Sequence, residues 1–444
     1  MLEIALFTII IAAVALFLQD RFGVPTPVTI IISIVELQIF GTTLGHAPQR
    51  ISETDFDQLT YLMLPILICS DALALRWDEI RRNAFGLVYV AGIMIVLSIG
   101  LGILLNRLIL PDYALTTPMM AALMCMVLAT DPVTVSSVFG RFKLPHNLKV
   151  IAEGESLFND ASALICFSIA LTYMGLGGPD PVKEPLIYSF QMVSGALFIG
   201  LVIGWLGLQL LRHVHDSMTE TMIVLAMALG SFATAEHFHS SGILAVIVAI
   251  LFANSVITKR LRSLDEGLKT PKGVATKGAI RDFVVGFEGM VKDAQDYRNV
   301  RSNIQFAAIL AATVLFITMA NLVNVELLVR YWKEIFSVFI GTTLIRMLMM
   351  GIFARLSLWT DRVPSVGLHW WKILTAAGVK GAFSILMLHM IPDDFVYLDL
   401  FEAVVVGNIL LSTILYPMAL VLIIRVHKER FRAEFEADHL AYED

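Results

Sequence analysis

Runs of about eighteen or more apolar residues recur along this chain, the length a helix needs to cross the hydrocarbon core of a bilayer. Inside that layer no water satisfies backbone N–H and C=O groups, so each crossing segment must satisfy its own. Of 444 residues, 57% are hydrophobic and 16% are charged, whereas a soluble domain carries about 25% charged residues. Thirteen candidate spans follow: 3–18, 25–43, 57–75, 84–106, 114–139, 148–175, 185–211, 218–237, 239–256, 303–325, 334–354, 367–391 and 397–424. The expected fold class is an all-α polytopic membrane protein, a single transmembrane unit over 1–444. The first residues, Met1-Leu2-Glu3, lack a basic signal-peptide start, so the first run reads as a retained helix.

Lysine and arginine orient the spans, because short cytoplasmic loops hold an excess of both. With the C-terminus in the cytoplasm and the N-terminus outside, 24 of the 32 Lys and Arg residues fall on the cytoplasmic side and five (Arg50, Arg107, Lys183, Arg330 and Lys333) outside. The one long connection, 257–302, carries ten of them, mixed with Phe283, Val284, Val285, Phe287 and Met290. It reads either as a cytoplasmic amphipathic stretch on the membrane surface or as a flexible basic loop. Residues 425–444 read as a short cytoplasmic tail. The chain has no basic tract interleaved with aromatics, so nucleic acid is not an expected partner. Cys69, Cys125 and Cys166 lie inside apolar runs without a CxxC pair, which argues against a disulfide framework or a zinc site.

Charge inside such spans is costly and marks pathways. Asp71, Asp131, Glu155 and Asp160 stand deep in the predicted spans, as do Arg346 and Lys380. In Thr130-Asp131-Pro132, the proline cannot donate a backbone hydrogen bond and disfavours helical geometry at Asp131. The fifth span is therefore expected to open, turning freed carbonyls, the Thr130 hydroxyl and the Asp131 carboxylate towards one another. Hard oxygens of that kind suit an alkali cation. The other reading is a proline kink with Asp131 capping a half-helix. In the sixth span, Ser156 and Asp160 share one helical face, and Glu155 and Asn159 share the next. One face presents oxygens, and the other a structural carboxylate and amide. The alternative, a solvated helix end, suits Glu153 better than Asp160, which precedes an apolar run. In the twelfth span, Gly378 and Gly381 bracket Lys380 and allow a second break with a fixed positive charge. Matched breaks seven spans apart are the pattern of inverted repeats around a midplane site. Arg346 stands alone in an apolar run and needs a carboxylate, with Glu155 the candidate partner. Glu236, His237 and His239 fall at a tight outer turn, without the HExxH spacing of a zinc protease.

Together these clusters resemble the NhaP/NHE branch of monovalent cation/proton antiporters. The resemblance runs through Phe22-Gly23-Val24-Pro25, Thr130-Asp131-Pro132 and Gly154-Glu155-Ser156-Leu157-Phe158-Asn159-Asp160. It continues through Ser241-Gly242-Ile243-Leu244-Ala245-Val246, Arg346 and Gly378-Val379-Lys380-Gly381. It implies a homodimer with an elevator-like core in a cell (inner) membrane, no organic cofactor and no enzyme activity. It also implies that Asp160 binds cation or proton, assisted by Asp131, the Thr130 carbonyl and the Ser156 hydroxyl, while Glu155 and Arg346 hold the core together. Asn159 beside Asp160 resembles the electroneutral branch.

Three positions depart from the family's pattern. Ser70 stands where a glutamate is usual, and Asp71 follows about 100° further round an ideal helix. Lys380 replaces an arginine, and the connection 257–302 is long. The expected activity is exchange of Na+ (or K+ or Li+) for H+, with cation and proton competing at Asp160 and the exchange serving pH homeostasis. A cation channel or another ion-coupled transporter is the alternative. An intramembrane aspartyl protease using Asp131 and Asp160 lacks a GxGD segment.

Overall fold

The computed structural model describes residues 10, 13–14, 17–18, 21, 53–139, 142, 144–176, 185–214, 216–267, 294–320, 324–359, 369–381 and 383–443. The expected span 25–43 and most of 3–18 lie outside these, as do residues 268–293 of the long connection. Among the described residues all regular structure is helical. Among the described residues, seven helices are long and apolar enough to cross a membrane: Ala84–Leu104, His146–Met174, Ser189–Leu211, Ser217–His237, Gly242–Lys259, Trp332–Ser357 and Leu398–Val426.

The chain divides into two compact units. The first comprises 1–63, 82–187 and 312–444. Its helices include α1 (Glu53–Ala74, which runs on into the second unit), α3 (Ala84–Leu104), α4 (Thr117–Leu128), α5 (Pro132–Phe139) and α6 (His146–Met174). After the shared α10 (Ala294–Ala320) come the short α11 (Val325–Arg330), α12 (Trp332–Trp359), α13 (Trp370–Ala376), α14 (Phe383–His389), α15 (Leu398–Val426) and α16 (Lys428–Glu443). Its core is one large apolar cluster, with Phe139, Ile151, Phe353, Trp370 and Leu420 among its buried members. Polar pairs tie its loops: Asn83 donates to Asn147 (3.2 Å) and Tyr113 to Glu334 (3.0 Å).

The second unit comprises 64–81 and 188–311. It holds α2 (Trp77–Arg82, apart from its last residue), most of α7 (Pro185–Leu211), α8 (Ser217–His237), α9 (Gly242–Gly267) and the start of α10. Asn254 is its polar hub. Its amide donates to the carbonyls of Leu75 (2.8 Å) and Leu73 (3.4 Å), satisfying the end of α1, where the helix leaves backbone acceptors unpaired. Its carbonyl accepts from Thr258 (3.2 Å) and from Tyr297. At the tight turn between α8 and α9, Glu236 accepts from the Gly242 N–H (3.0 Å), and His239 takes a left-handed φ of 54°.

Two helix ends differ from the hydropathy spans. α9 continues to Gly267 and α10 already begins at Ala294, so both reach into the expected connection 257–302. Hydropathy marks where a helix leaves the apolar layer, and a helix satisfies its own backbone equally well beyond it.

Association of helices in lipid relies on close backbone approach at small residues. A Cβ at Gly200 of α7 would sit 2.6 Å from the Ala245 carbonyl oxygen of α9, and one at Gly204 would sit 3.0 Å from that of Ala249. Gly200→Val should therefore force α7 and α9 apart and lower stability by about 1–3 kcal/mol. Gly230→Ala, where nothing lies within 4 Å of the added carbon, is the control. Thermal melts in detergent should separate the two variants; equal melting would contradict this packing.

Candidate functional site

Within the first unit, two helices stop and restart in the middle of apolar sequence. α4 ends at Leu128 and α5 begins at Pro132. Ala129 is extended (φ −58°, ψ 142°), and Pro132 occupies the first helical position, where its missing N–H costs nothing. α13 ends at Ala376 and α14 begins at Phe383. The two stretches between them meet: the Asp131 N–H donates to the Val379 carbonyl at 2.7 Å. Gly381 makes this approach feasible, since a Cβ there would lie 2.6 Å from the Asp131 Cβ. Lys380, 2% exposed, donates its backbone N–H to the Ser412 hydroxyl of α15 at 3.0 Å. It lies within electrostatic reach of Arg346, Glu155 and Asp160.

α6 brings its own polar residues to the first break. Asp160 falls midway along this helix. One Asp160 carboxylate oxygen accepts from the Thr130 N–H at 3.1 Å. The Asn159 amide donates to the Leu128 carbonyl (2.9 Å) and to the Thr130 hydroxyl (3.1 Å). It thereby caps the open end of α4. The Ser156 hydroxyl, one turn before Asp160, is fully buried and has no hydrogen-bond partner among the described residues. Asp131 and Asp160 are both partly exposed, while Thr130, Ser156 and Asn159 are buried. Glu153 accepts from Ser136 at 3.1 Å. The result is a set of oxygen groups with two partly exposed carboxylates, at a place where the backbone is not helical. Such a set can hold a small hard cation or, on a carboxylate, a proton.

Behind it lies a closed ion pair. Arg346 of α12 donates to both carboxylate oxygens of Glu155, at 3.0 and 2.7 Å. Nη2 also donates to the Leu374 carbonyl (2.9 Å), and Nε is shared between the carbonyls of Leu374 and Thr375 (both 3.3 Å) at the end of α13. Both side chains are almost wholly buried. Gly378 gives the guanidinium its room, since a Cβ there would sit 2.3 Å from Arg346 Nε.

Ser70 and Asp71 belong to the second unit, on α1, and both are partly exposed. Sequence reasoning missed Ser412 and the carbonyls of Leu128 and Val379. A serine in an apolar helix is a weak signal, and a backbone acceptor carries none.

Comparison with known proteins bears on this geometry. The family model described as "Sodium/hydrogen exchanger, transmembrane" matches residues 7–269. The chain is similar to the Na(+)/H(+) antiporter NhaH of Halobacillus dabanensis, 32% identical over 231 residues, which are 50% of this chain and 54% of that protein. It is similar to the Na(+)/H(+) antiporter NhaG of Bacillus atrophaeus, 25% identical over 411 residues, 88% of this chain and 68% of that one. The match thus spans about half the length of the NhaH protein. In fold, the chain resembles the sodium proton antiporter MjNhaP1 from Methanocaldococcus jannaschii, with a TM-score of 0.69 at 16% identity. That likeness covers 95% of this chain and 97% of the other.

The ion pair yields a stability test. Glu155→Leu or Arg346→Leu alone leaves a buried charge without its partner and should cost about 3–5 kcal/mol. The double variant should cost less than the sum. Unfolding of the four proteins in detergent measures the coupling, and strictly additive losses would refute the pair as an energetic unit.

Proposed function

Because the chain belongs to the transmembrane sodium/hydrogen exchanger family, we propose that it exchanges Na+ (or K+ or Li+) for H+ across a membrane, by competition at Asp160. The observation that carries this reading is the Asp160 carboxylate placed against the non-helical Thr130-Asp131 segment, with the Ser156 hydroxyl, unpartnered among the described residues, one turn away. The cation is held by Asp160, Asp131, the Thr130 carbonyl and Ser156. Carboxylate ionisation favours the cation, and protonation expels it. Each loaded form reduces the charge of the site, whereas the empty ionised site bears the desolvation cost of crossing. Alternating exposure then needs neither ATP nor an organic cofactor.

Asn159 supports a one-for-one exchange. Its amide is engaged by the end of α4, and a second titrating acid is absent at that position. Lys380 is a supporting cationic group beside the site, and the Glu155–Arg346 pair keeps α6, α12 and α13 together. Ser70 and Asp71 remain auxiliary polar positions. The full arrangement we propose has thirteen spans, inverted repeats with interrupted helices at the fifth and twelfth, and a homodimer in the cell (inner) membrane. Its N-terminus lies outside, its tail of 425–444 is cytoplasmic, and the connection 257–302 lies on the cytoplasmic surface. Its physiological use would be pH homeostasis coupled to sodium transport.

Asp160→Asn should abolish sodium-driven proton movement in proteoliposomes while leaving the protein folded; exchange at the wild-type rate would sink the assignment. The wild-type rate should also be unchanged by an imposed potassium–valinomycin potential, potassium itself being excluded as a substrate. Each net charge moved would contribute about 2.3 kcal/mol per 100 mV, so a voltage-dependent rate would show that a second group titrates in the cycle.

A further inference from the structure

Several hydroxyls of the first unit return to their own helix. Thr342, Thr343 and Thr375 donate to carbonyls four residues back, and Ser357 and Ser412 to carbonyls three back. Ser384 does not. Its side chain is fully buried, and its Oγ has no hydrogen-bond partner among the described residues. As the second residue of α14 it has the break behind it in place of a helical turn. Asn408 of α15, also buried, is satisfied on one side only. Its amide donates to the Val404 carbonyl at 2.8 Å, while its Oδ1 has no partner among the described residues. Thr413 is unpartnered among them too, but the five residues between it and Asn408 carry it about 140° round α15.

Ser384 and Asn408 lie at one level of the structure. The Lys380 N–H meets the Ser412 hydroxyl, and Ser412 stands about 21 Å along α15 from its first residue, Leu398. The chain from Lys380 through α14 must therefore descend that distance to reach the start of α15, so the two helices run antiparallel, and they pack on each other. Ser384 follows Lys380 by four residues, through a tight turn in which its N–H donates to the Gly381 carbonyl at 3.3 Å. Asn408 precedes Ser412 by four, one helical turn along the same face of α15. Both steps leave the second break in the same direction. A hydroxyl and an acceptor, each buried and neither bonded to the other, stand at the same level of one helix pair. Buried polar groups in folded proteins are satisfied, and a polar contact just beyond direct reach is closed by a bridging molecule.

We propose that Ser384 and Asn408 form a binding site for a buried water molecule between α14 and α15, one turn from the second break. Water fits both groups, because it donates to the Asn408 Oδ1 and exchanges either role with the Ser384 hydroxyl. An alkali cation fits them less well. Neither residue is a carboxylate, and Lys380, itself a cation, stands one turn away. The water extends the polar surface of the break by a turn and joins α14 to α15 through a molecule that belongs to neither helix. The site stands on these contacts and not on the exchange reading, so either can fail without the other.

X-ray footprinting of the full-length protein in nanodiscs tests the site without measuring transport. A short pulse makes hydroxyl radicals from water in place, so a buried methionine is oxidised to its sulfoxide only where bound water adjoins it. Met387, one turn beyond Ser384, and Met350, in the apolar cluster of the first unit, are both fully buried. In the wild type Met387 should be oxidised at least about tenfold faster than Met350, since apolar interiors stay dry; this comparison needs no variant. Ser384→Ala and Asn408→Leu should each bring Met387 down towards the Met350 rate, and Thr413→Val should not. The wild-type rate should be the same in sodium chloride and in choline chloride. Equal rates for Met387 and Met350 in the wild type would overturn the proposal. So would labelling undiminished in both Ser384→Ala and Asn408→Leu, or labelling lost in Thr413→Val. Protection of Met387 by sodium would overturn it as well, by showing the occupant to be the cation.

Discussion

One backbone hydrogen bond, from the Asp131 N–H to the Val379 carbonyl, joins the two places where helices of the first unit stop in apolar sequence. At membrane depth an open backbone is tolerated only where something else satisfies it. Here each break helps to satisfy the other. Neighbouring helices complete the arrangement, with Asn159 on the end of α4 and Ser412 on the N–H of Lys380. The polar groups of the candidate site are thus by-products of backbone that has been freed and then held. Moving the first break would move the Asp131 carboxylate with it.

The Glu155–Arg346 pair makes that placement rigid. A bare guanidinium or carboxylate in this setting would be prohibitive, but the bidentate geometry and the carbonyls of Leu374 and Thr375 leave little unsatisfied. Because those carbonyls belong to the end of α13, the pair fixes the second break as well as binding α6 to α12. Gly378 and Gly381 serve the same construction from the other side, each removing a Cβ that would collide with Arg346 or Asp131. Two glycines around a lysine are therefore needed for steric reasons, in addition to any freedom they give the backbone.

Much of this was legible in the sequence wherever a side chain carried the signal. Pro132 lacks an N–H, so the stop before it could be read directly. Ser156 and Asp160 four residues apart define a helical face by geometry alone, and Arg346 in an apolar run calls for an acid. What stayed hidden was tertiary. Nothing in the residues around Val379 says that its carbonyl receives Asp131. Gly200 and Gly204 are visible as small residues, but their partners Ala245 and Ala249 are known only from the packing of α7 on α9. The packing of Phe431 of α16 into the apolar cluster that holds Trp370 was equally opaque, because a polar tail with two phenylalanines four residues apart fits many surfaces. Hydropathy also ended α9 too early and began α10 too late, since it registers the solvent rather than the helix.

The central claim is that a cation and a proton exclude one another at Asp160. Calorimetric titration of the purified wild-type protein with sodium, repeated in buffers of different ionisation enthalpy, counts the protons released per cation bound. The account predicts close to one proton per sodium at pH values where the site is mostly protonated. It also predicts an apparent affinity that falls about tenfold per pH unit as the medium is acidified. Sodium binding that releases no proton at any pH, with an affinity indifferent to pH, would contradict it.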